Sequence, residues 1–100
     1  MLYLVKVRVD LKKLPEFGAR LVRGELDNSA ILFTHCLKDD PAVGLAIWEV
    51  ADEQEFKTKF DPWRPYYSEI ELSEVVTPAE AQRLLLQRLG SESSSSEEEK

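Results

Sequence analysis

The sequence predicts an α+β domain with the ferredoxin-like split βαβ arrangement, in which a four-stranded antiparallel sheet is followed by an additional C-terminal helix. Segments in which apolar residues alternate with period two predict strands, and segments with helical spacing predict helices. Their order along the 100-residue chain is β-α-β-β-α-β-α, and this length suits one hydrophobic core. We therefore expect a single domain over residues 1–90, with the strand order 4-1-3-2.

The first strand and the first helix lie in the first quarter of the chain. Over residues 3–9, apolar side chains alternate with the others, which is typical of a strand with one buried face. Pro15 suits the first turn of a helix, and Gly24 suits its end. These signals predict a short helix over residues 14–24.

A hairpin and a second helix follow. Residues 30–37 and 44–50 are two β-prone runs, joined by a turn cluster that contains Pro41. Asp52 and Glu55 have the spacing of a capping box, with Asp in the capping position. The chain is therefore expected to form strands two and three and then to begin a helix near residue 52.

The last strand and the last helix complete the predicted domain. Residues 68–73 alternate between apolar and polar side chains, which predicts a fourth strand. Thr77 and Glu80 form a second capping box, and we expect the helix that they begin to end at Gly90. Residues 91–100 are serine, glutamate and one lysine, which predicts a disordered acidic tail, either a phosphorylation segment or a solvating terminus.

Charge and composition restrict the partners. The chain has 19 acidic and 13 basic residues, a net charge of -6, which disfavours nucleic acid. No apolar run approaches the roughly 20 residues that span a bilayer, and the N-terminus does not have the pattern of a signal peptide. The lone Cys36 allows no intrachain disulfide. We expect a cytoplasmic protein with no membrane partner, no metal and no cofactor, since it has one histidine and no phosphate-binding loop.

Strands two and three are apolar on both of their faces. Over residues 30–37, for example, Leu32 and Phe33 are neighbours and so point to opposite sides of the sheet. A single layer of helices covers only one face, so the other would leave an apolar patch of the kind that marks an interface. The simplest cover is a second copy related by a two-fold axis, and we therefore predict a homodimer.

Two stretches of the chain resemble the muconolactone isomerase-like group of the dimeric α+β barrel superfamily. One is MLYLVKVRVDL, which is similar to that family's first strand. The other is AIWEVADEQEFKTKFDPWRPYYSEIELSEVV, which is similar to its third strand, second helix, Pro65-Tyr66 loop and fourth strand. The resemblance covers a little under half of the chain and implies a dimer whose sheets face each other, with the last helix reaching the partner. The middle of the chain departs from the family pattern, so no catalytic residue is carried over.

Two residues are candidate catalytic bases. His35 is the only histidine; histidine titrates near neutral pH, and on strand two it would serve as a general base if it faced a cavity. The alternative is a hydrogen-bonded histidine near a strand end. Glu49 lies on the apolar third strand, where a carboxylate is either a candidate base or the partner of Lys6 or Arg8 on the neighbouring strand.

Aromatic residues are concentrated around the loop DPWRPYY and supply the candidate ligand-binding residues. In one interpretation this loop borders a pocket, where Trp63 and Tyr66 contact a planar ligand and Arg64 meets an anionic group. Trp48 would share a sheet face, and hence the cavity, with His35. In the alternative, the aromatic residues fill the core and the dimer interface.

These observations leave two functions open. The first is a small-molecule-binding or isomerase-like dimeric α+β barrel protein that acts on a small apolar or aromatic metabolite. The second is a noncatalytic homodimeric interaction protein. A cavity between sheet and helices favours the first, and a filled core favours the second.

Overall fold

The computed structural model describes residues 1–92, and its elements follow the predicted order. The strands are β1 (Leu2–Val9), β2 (Ile31–Cys36), β3 (Val43–Glu49) and β4 (Tyr67–Val75). The α-helices are α1 (Leu14–Val22), α2 (Glu53–Phe60) and α3 (Pro78–Glu92), and two short 3-10 helices span Leu11–Lys13 and Asp61–Tyr66. We refer to the second of these as the 61–66 helix.

The four strands form one antiparallel sheet in the order β2-β3-β1-β4, which confirms the predicted topology. At the centre of the sheet, Val5 of β1 lies opposite Ala46 of β3 on one side and Leu72 of β4 on the other. Side chains that are opposite each other in a ladder point to the same face. This register therefore defines one face, called here the core face, that carries Val5, Ala46 and Leu72.

The helices α1 and α2 pack on the core face. Phe17 of α1 and Phe56 and Phe60 of α2 are buried together with Trp48 of β3 and with Trp63 of the 61–66 helix. Three of these aromatic rings surround Trp48 edge-on, at centroid distances of 5.5 to 5.8 Å. The core is therefore built largely from aromatic contacts of the kind that add stability beyond area burial.

The opposite face of the sheet, called here the outer face, divides into an apolar half and a charged half. The apolar half includes Leu4, Phe33, Leu45 and Ile47, which the register places side by side. In the charged half, Arg8 pairs with Asp40 at 3.0 Å and with Glu69 at 3.4 Å, and Lys6 lies opposite Glu71. Charged side chains of β1 therefore face acidic side chains of β4 across this half.

The capping signals of the sequence account for the helix starts. The Asp52 side chain accepts a hydrogen bond from the Glu55 N–H at 2.8 Å, and the Glu55 carboxylate accepts one from the Ala51 N–H at 2.6 Å. The Thr77 hydroxyl accepts a hydrogen bond from the Glu80 N–H at 3.2 Å. The helices α2 and α3 therefore begin where a first-turn N–H finds a side-chain acceptor, whereas α1 begins at Leu14 and Pro15 without a side-chain cap.

Two features differ from the sequence prediction. The DPWRPY part of the predicted loop is the 61–66 helix, because the fixed φ of its two prolines is compatible with a 3-10 turn. The helix α3 continues two residues past Gly90, to Glu92. Residues 93–100, which make up most of the predicted tail, lie outside the described residues.

The helix α1 ends in a Schellman motif around Gly24, which has a φ of 70°. The Glu25 N–H donates to the Arg20 carbonyl at 2.9 Å, and the Gly24 N–H donates to the Leu21 carbonyl at 3.1 Å. A positive φ favours glycine strongly over any residue with a Cβ atom. The predicted helix end at Gly24 therefore has a specific backbone cause.

The two glycines of the α1 region should respond oppositely to alanine. Gly18→Ala is expected to raise the free energy of unfolding by about 0.5–1 kcal/mol, because Gly18 lies inside a helix and a Cβ there meets no atom within 4 Å. Gly24→Ala is expected to lower it by about 1–2 kcal/mol, because alanine is strained at positive φ. Urea unfolding of both variants measures the two shifts, and equal signs would contradict this account.

Candidate functional site

A cavity of about 430 Å³ lies between the core face of the sheet and α1. Its floor is formed by β1, β3 and β2, and its side walls come from α1, the 61–66 helix and the first residue of β4. Leu21, Thr34 and Cys36 line it and are also exposed, so they mark its opening to solvent. This volume lies within the range that small-molecule sites occupy.

Small residues on β3 leave this space open. Gly44 and Ala46 both lie on the core face, opposite Val7 and Val5. Gly44 has no side chain and Ala46 has only a methyl group, so neither fills the space above the sheet. A methyl group at Gly44 would lie 3.8 Å from the Cys36 Sγ and 3.8 Å from the Val7 Cγ2, which is ordinary van der Waals contact. A larger side chain at residue 44 would extend into the cavity.

Aromatic rings hold the far wall of the cavity in place. The Trp63 ring packs edge-on against Trp48 at 5.8 Å and against Phe17 at 5.9 Å. Its indole N–H donates to the Asp27 carbonyl at 3.3 Å. A wall fixed in this way can contact a planar ligand without losing side-chain entropy on binding. Trp48 and Trp63, both predicted as ligand-binding residues, therefore line the same cavity.

The cavity lining contains no Asp, Glu, Lys, Arg or His among residues 1–92. Its polar side chains are Asn28, Thr34, Cys36 and Tyr67. Burial raises the pKa of Tyr67, and negative charge on the neighbouring Cys36 sulfur would raise it further. The phenol is therefore protonated at physiological pH, and the cavity has neither a fixed charge nor a neutral-pH base.

Tyr66, also predicted as a ligand-binding residue, is only 3% exposed and does not line the cavity. Its ring stacks on Phe17 at 4.9 Å. Its hydroxyl accepts a hydrogen bond from Arg20 Nη1 at 2.7 Å and donates one to Glu16 Oε2 at 2.9 Å. Tyr66 therefore joins α1 to the 61–66 helix, and its hydrogen-bonding capacity is already used.

Arg64 lies away from the cavity. Its Nε atom pairs with the Asp61 carboxylate at 3.0 Å, and its guanidinium sits 5.0 Å from the centroid of the Phe60 ring. It borders a separate shallow groove beside Tyr3 and Leu72. The structure thus does not bring Arg64 to the aromatic wall, where the sequence interpretation places it against an anionic ligand.

The structure separates His35 from Trp48, which corrects the expectation that they share a cavity. Uninterrupted alternation from Ile31, which lies opposite Trp48, would put His35 on the core face. The β2–β3 register shifts between Ile31 and Phe33, and this bulge moves His35 to the outer face. There the imidazole packs edge-on against Phe33, at a centroid distance of 5.5 Å.

Glu49 also lies on the outer face, where it is exposed and opposite Leu2 at one end of β1. Arg8 is at the other end of that strand and pairs with Asp40 and Glu69. The prediction that Glu49 pairs with Lys6 or Arg8 is therefore wrong within residues 1–92. Glu49 does not line the cavity either.

Sequence reasoning missed the cavity residues Gly44, Thr34, Cys36 and Tyr67. A signal for Gly44 was present, because a glycine inside a strand often marks a close approach or a gap in packing. Thr34 and Cys36 could be assigned to the cavity only with the β2–β3 register.

Within the described part of the chain, no cluster of His, Cys, Asp or Glu could hold a metal ion, and no helix is long and apolar enough to cross a membrane.

Neither the known family models nor the curated proteins match this sequence. Among solved structures, the chain is similar to 5-chloro-2-hydroxyhydroquinone dehydrochlorinase from Burkholderia phenoliruptrix, in complex with 2,5-dihydroxybenzoquinone. The TM-score is 0.55 and the identity 11%, over 80% of this chain and 98% of that one. It is also similar to a protein of Bacteroides thetaiotaomicron proposed to be an antibiotic biosynthesis monooxygenase, with a TM-score of 0.48 and 22% identity, over 78% and 89% of the two chains.

The likeness to the dehydrochlorinase is one of fold. It supports an α+β fold with a four-stranded antiparallel sheet and extends over almost the whole of that enzyme. The narrower resemblance to muconolactone isomerases stays a prediction.

Proposed function

We propose that the protein binds a small, uncharged, aromatic or otherwise apolar molecule in the cavity between the sheet and α1. The observation that carries this proposal is an open, largely apolar cavity that no charged side chain of residues 1–92 lines. A carboxylate or ammonium group placed there would lose its hydration without gaining a counter-ion, which is costly. An uncharged planar molecule would instead replace water against Trp48 and Trp63.

The cavity supports the first of the two functions that the sequence left open. A filled core would favour the interaction protein, whereas here Gly44 and Ala46 keep part of the core open. The cavity also lacks His35 and Glu49, so an isomerase-like proton transfer would have no neutral-pH base in it. Ligand binding is therefore the function that the site supports best, in a cytoplasmic protein as the sequence predicts.

Filling the cavity should abolish binding without unfolding the protein. Gly44→Val is expected to reduce the affinity for 2-naphthol at least tenfold, because a Cβ fits at residue 44 and the two methyl groups beyond it occupy the cavity. Valine also suits a strand better than glycine does. NMR titration measures the affinity, with Gly18→Ala, which is outside the cavity, as the matched control.

A charged probe tests the same proposal from the ligand side. Unmodified protein should bind 2-naphthol and should not bind 2-naphthoate, which has the same ring system with a carboxylate. Tighter binding of the naphthoate, or a folded Gly44→Val variant that binds 2-naphthol normally, would contradict a neutral ligand in this cavity.

We further propose that the protein is a homodimer formed through the outer face. The apolar half of that face includes Phe33, which is 49% exposed, beside Leu4, Leu45 and Ile47. The charged half carries both acidic and basic side chains. A two-fold axis can therefore place the acidic groups of one copy against the basic groups of the other. A second copy would cover the apolar half, which both helices of the core layer leave open.

The exposed face of α3 gives independent support for self-association. Residues 82–90 of this helix are all exposed, and they include Leu84, Leu85, Leu86 and Leu89 at exposures of 41–63%. Leucines at this spacing form an apolar stripe that is stable in water only when something packs against it. In the proposed dimer, that partner is the second copy, as the family resemblance also implies.

A further inference from the structure

We infer that the ligand carries a carbonyl or hydroxyl oxygen on its ring system and that the Tyr67 hydroxyl binds this oxygen. The inference rests on the proposed function, because it assigns a specificity-determining residue to the same cavity. It narrows the ligand from an uncharged apolar molecule to a phenol, an aromatic ketone or a quinone.

The position of the Tyr67 ring is fixed by its neighbours. The ring packs edge-on against Phe17 at 5.8 Å and stacks on Phe60 at 6.2 Å. Tyr67 is the first residue of β4 and lines the cavity together with Cys36. The phenol therefore has a set orientation before any ligand arrives, which lowers the entropic cost of a hydrogen bond.

The Tyr67 hydroxyl has no hydrogen-bond partner within residues 1–92, in contrast to the other polar aromatic groups nearby. The Tyr66 hydroxyl both accepts from Arg20 and donates to Glu16, and the Trp63 N–H donates to Asp27. Tyr67 is half-buried, and its oxygen is accessible, because within residues 1–92 no buried side-chain oxygen lacks a partner. Here the cavity is where a partner can be placed.

The protonation of Tyr67 determines which groups it can bind. Burial raises the pKa of this phenol, so it stays neutral and can donate to a carbonyl or accept from a hydroxyl. Asn28 and Thr34, two other polar residues of the lining, are exposed, whereas Tyr67 is half-buried. Tyr67 is therefore the polar group whose pairing should distinguish an oxygen-bearing ligand from a plain hydrocarbon.

The test uses 1-tetralone and tetralin, which differ in one ring carbonyl. Unmodified protein is expected to bind 1-tetralone about 2- to 12-fold more tightly than Tyr67→Phe does, the range for one neutral hydrogen bond. The affinity for tetralin should be the same in both proteins. Tyr66→Phe, the matched control, should retain the affinity for 1-tetralone although it loses two hydrogen bonds.

Three outcomes would overturn the inference, and they can be distinguished. If Tyr67→Phe binds 1-tetralone as tightly as the unmodified protein, Tyr67 does not bind the oxygen and the proposed function stands. If Tyr67→Phe lowers the affinity for tetralin as much as the affinity for 1-tetralone, the Tyr67 side chain acts only by packing against the ligand. If the unmodified protein binds neither probe nor 2-naphthol, the proposed function fails and the inference fails with it.

Discussion

Phe33→Asp is expected to convert the proposed homodimer into a folded monomer. In one chain the Phe33 side chain is 49% exposed on the outer face, so an aspartate there can reach water and the core face is unaffected. In the dimer the same carboxylate would be buried without a partner, which costs several kcal/mol. Sedimentation analysis at tens of micromolar should show the change in mass, and circular dichroism should show that the fold is kept.

The control for this variant is Val22→Asp, which also introduces a carboxylate at an exposed apolar residue. Val22 is 88% exposed at the end of α1, on the layer opposite to the outer face, and its replacement should leave the dimer intact. A Phe33→Asp variant that stays dimeric would place the interface elsewhere. A monomer in the unmodified protein at the same concentration would leave the outer face for a different partner.

The order of the elements could be predicted because local signals agree with the fold. Asp52 accepts the Glu55 N–H as the capping spacing predicts, and the Glu55 carboxylate accepts from the Ala51 N–H, one residue before the cap. Gly24 ends α1 at the positive φ for which glycine is suited. Alternation in β1 is clear because Lys6 is exposed between the buried residues Val5 and Val7. Local propensity and burial point to the same structure in these places.

The faces of β2 could not be predicted in the same way. The odd-numbered and the even-numbered residues of this strand are both largely apolar. The sequence pattern therefore does not show which set faces the helices. The bulge near Leu32 then reverses the alternation within the strand, so that Ile31 and Cys36 share the core face. His35, the candidate base, was misplaced for this reason, and Cys36 was missed.

The 61–66 helix shows a second limit of sequence reasoning. Clustered aromatic residues indicated a site, and Trp63 does line the cavity. The direction of each side chain depends on turn geometry that composition does not specify: Tyr66 turns toward Arg20, and Arg64 turns toward Asp61. The clustering of aromatic residues in this segment could be predicted from the sequence. The role of each residue could be assigned only from the backbone geometry of the 61–66 helix.

Phe60→Ala is expected to produce the largest loss of stability among single changes that leave the cavity lining intact. Phe60 is 1% exposed, stacks on Phe56 at 5.3 Å and receives the Trp48 ring edge-on at 5.5 Å. Truncation of such a residue costs about 3–5 kcal/mol, from lost burial and from the hole that remains. Since a domain of this size is stable by only about 5–15 kcal/mol, the melting temperature should fall by more than about 10 °C.

Two further variants determine whether this loss comes from packing at residue 60. Phe60→Leu keeps most of the volume and should recover part of the stability, while the aromatic contacts, worth about 0.5–1.5 kcal/mol per pair, stay absent. Lys57→Ala, on the exposed side of the same helix, should change the free energy of unfolding by less than about 0.5 kcal/mol. All variants are compared at one protein concentration, because dimerisation would add to the apparent stability. A loss below about 1 kcal/mol in Phe60→Ala would mean that the aromatic core can collapse around the hole, and the rigid cavity wall beside it would then need a different explanation.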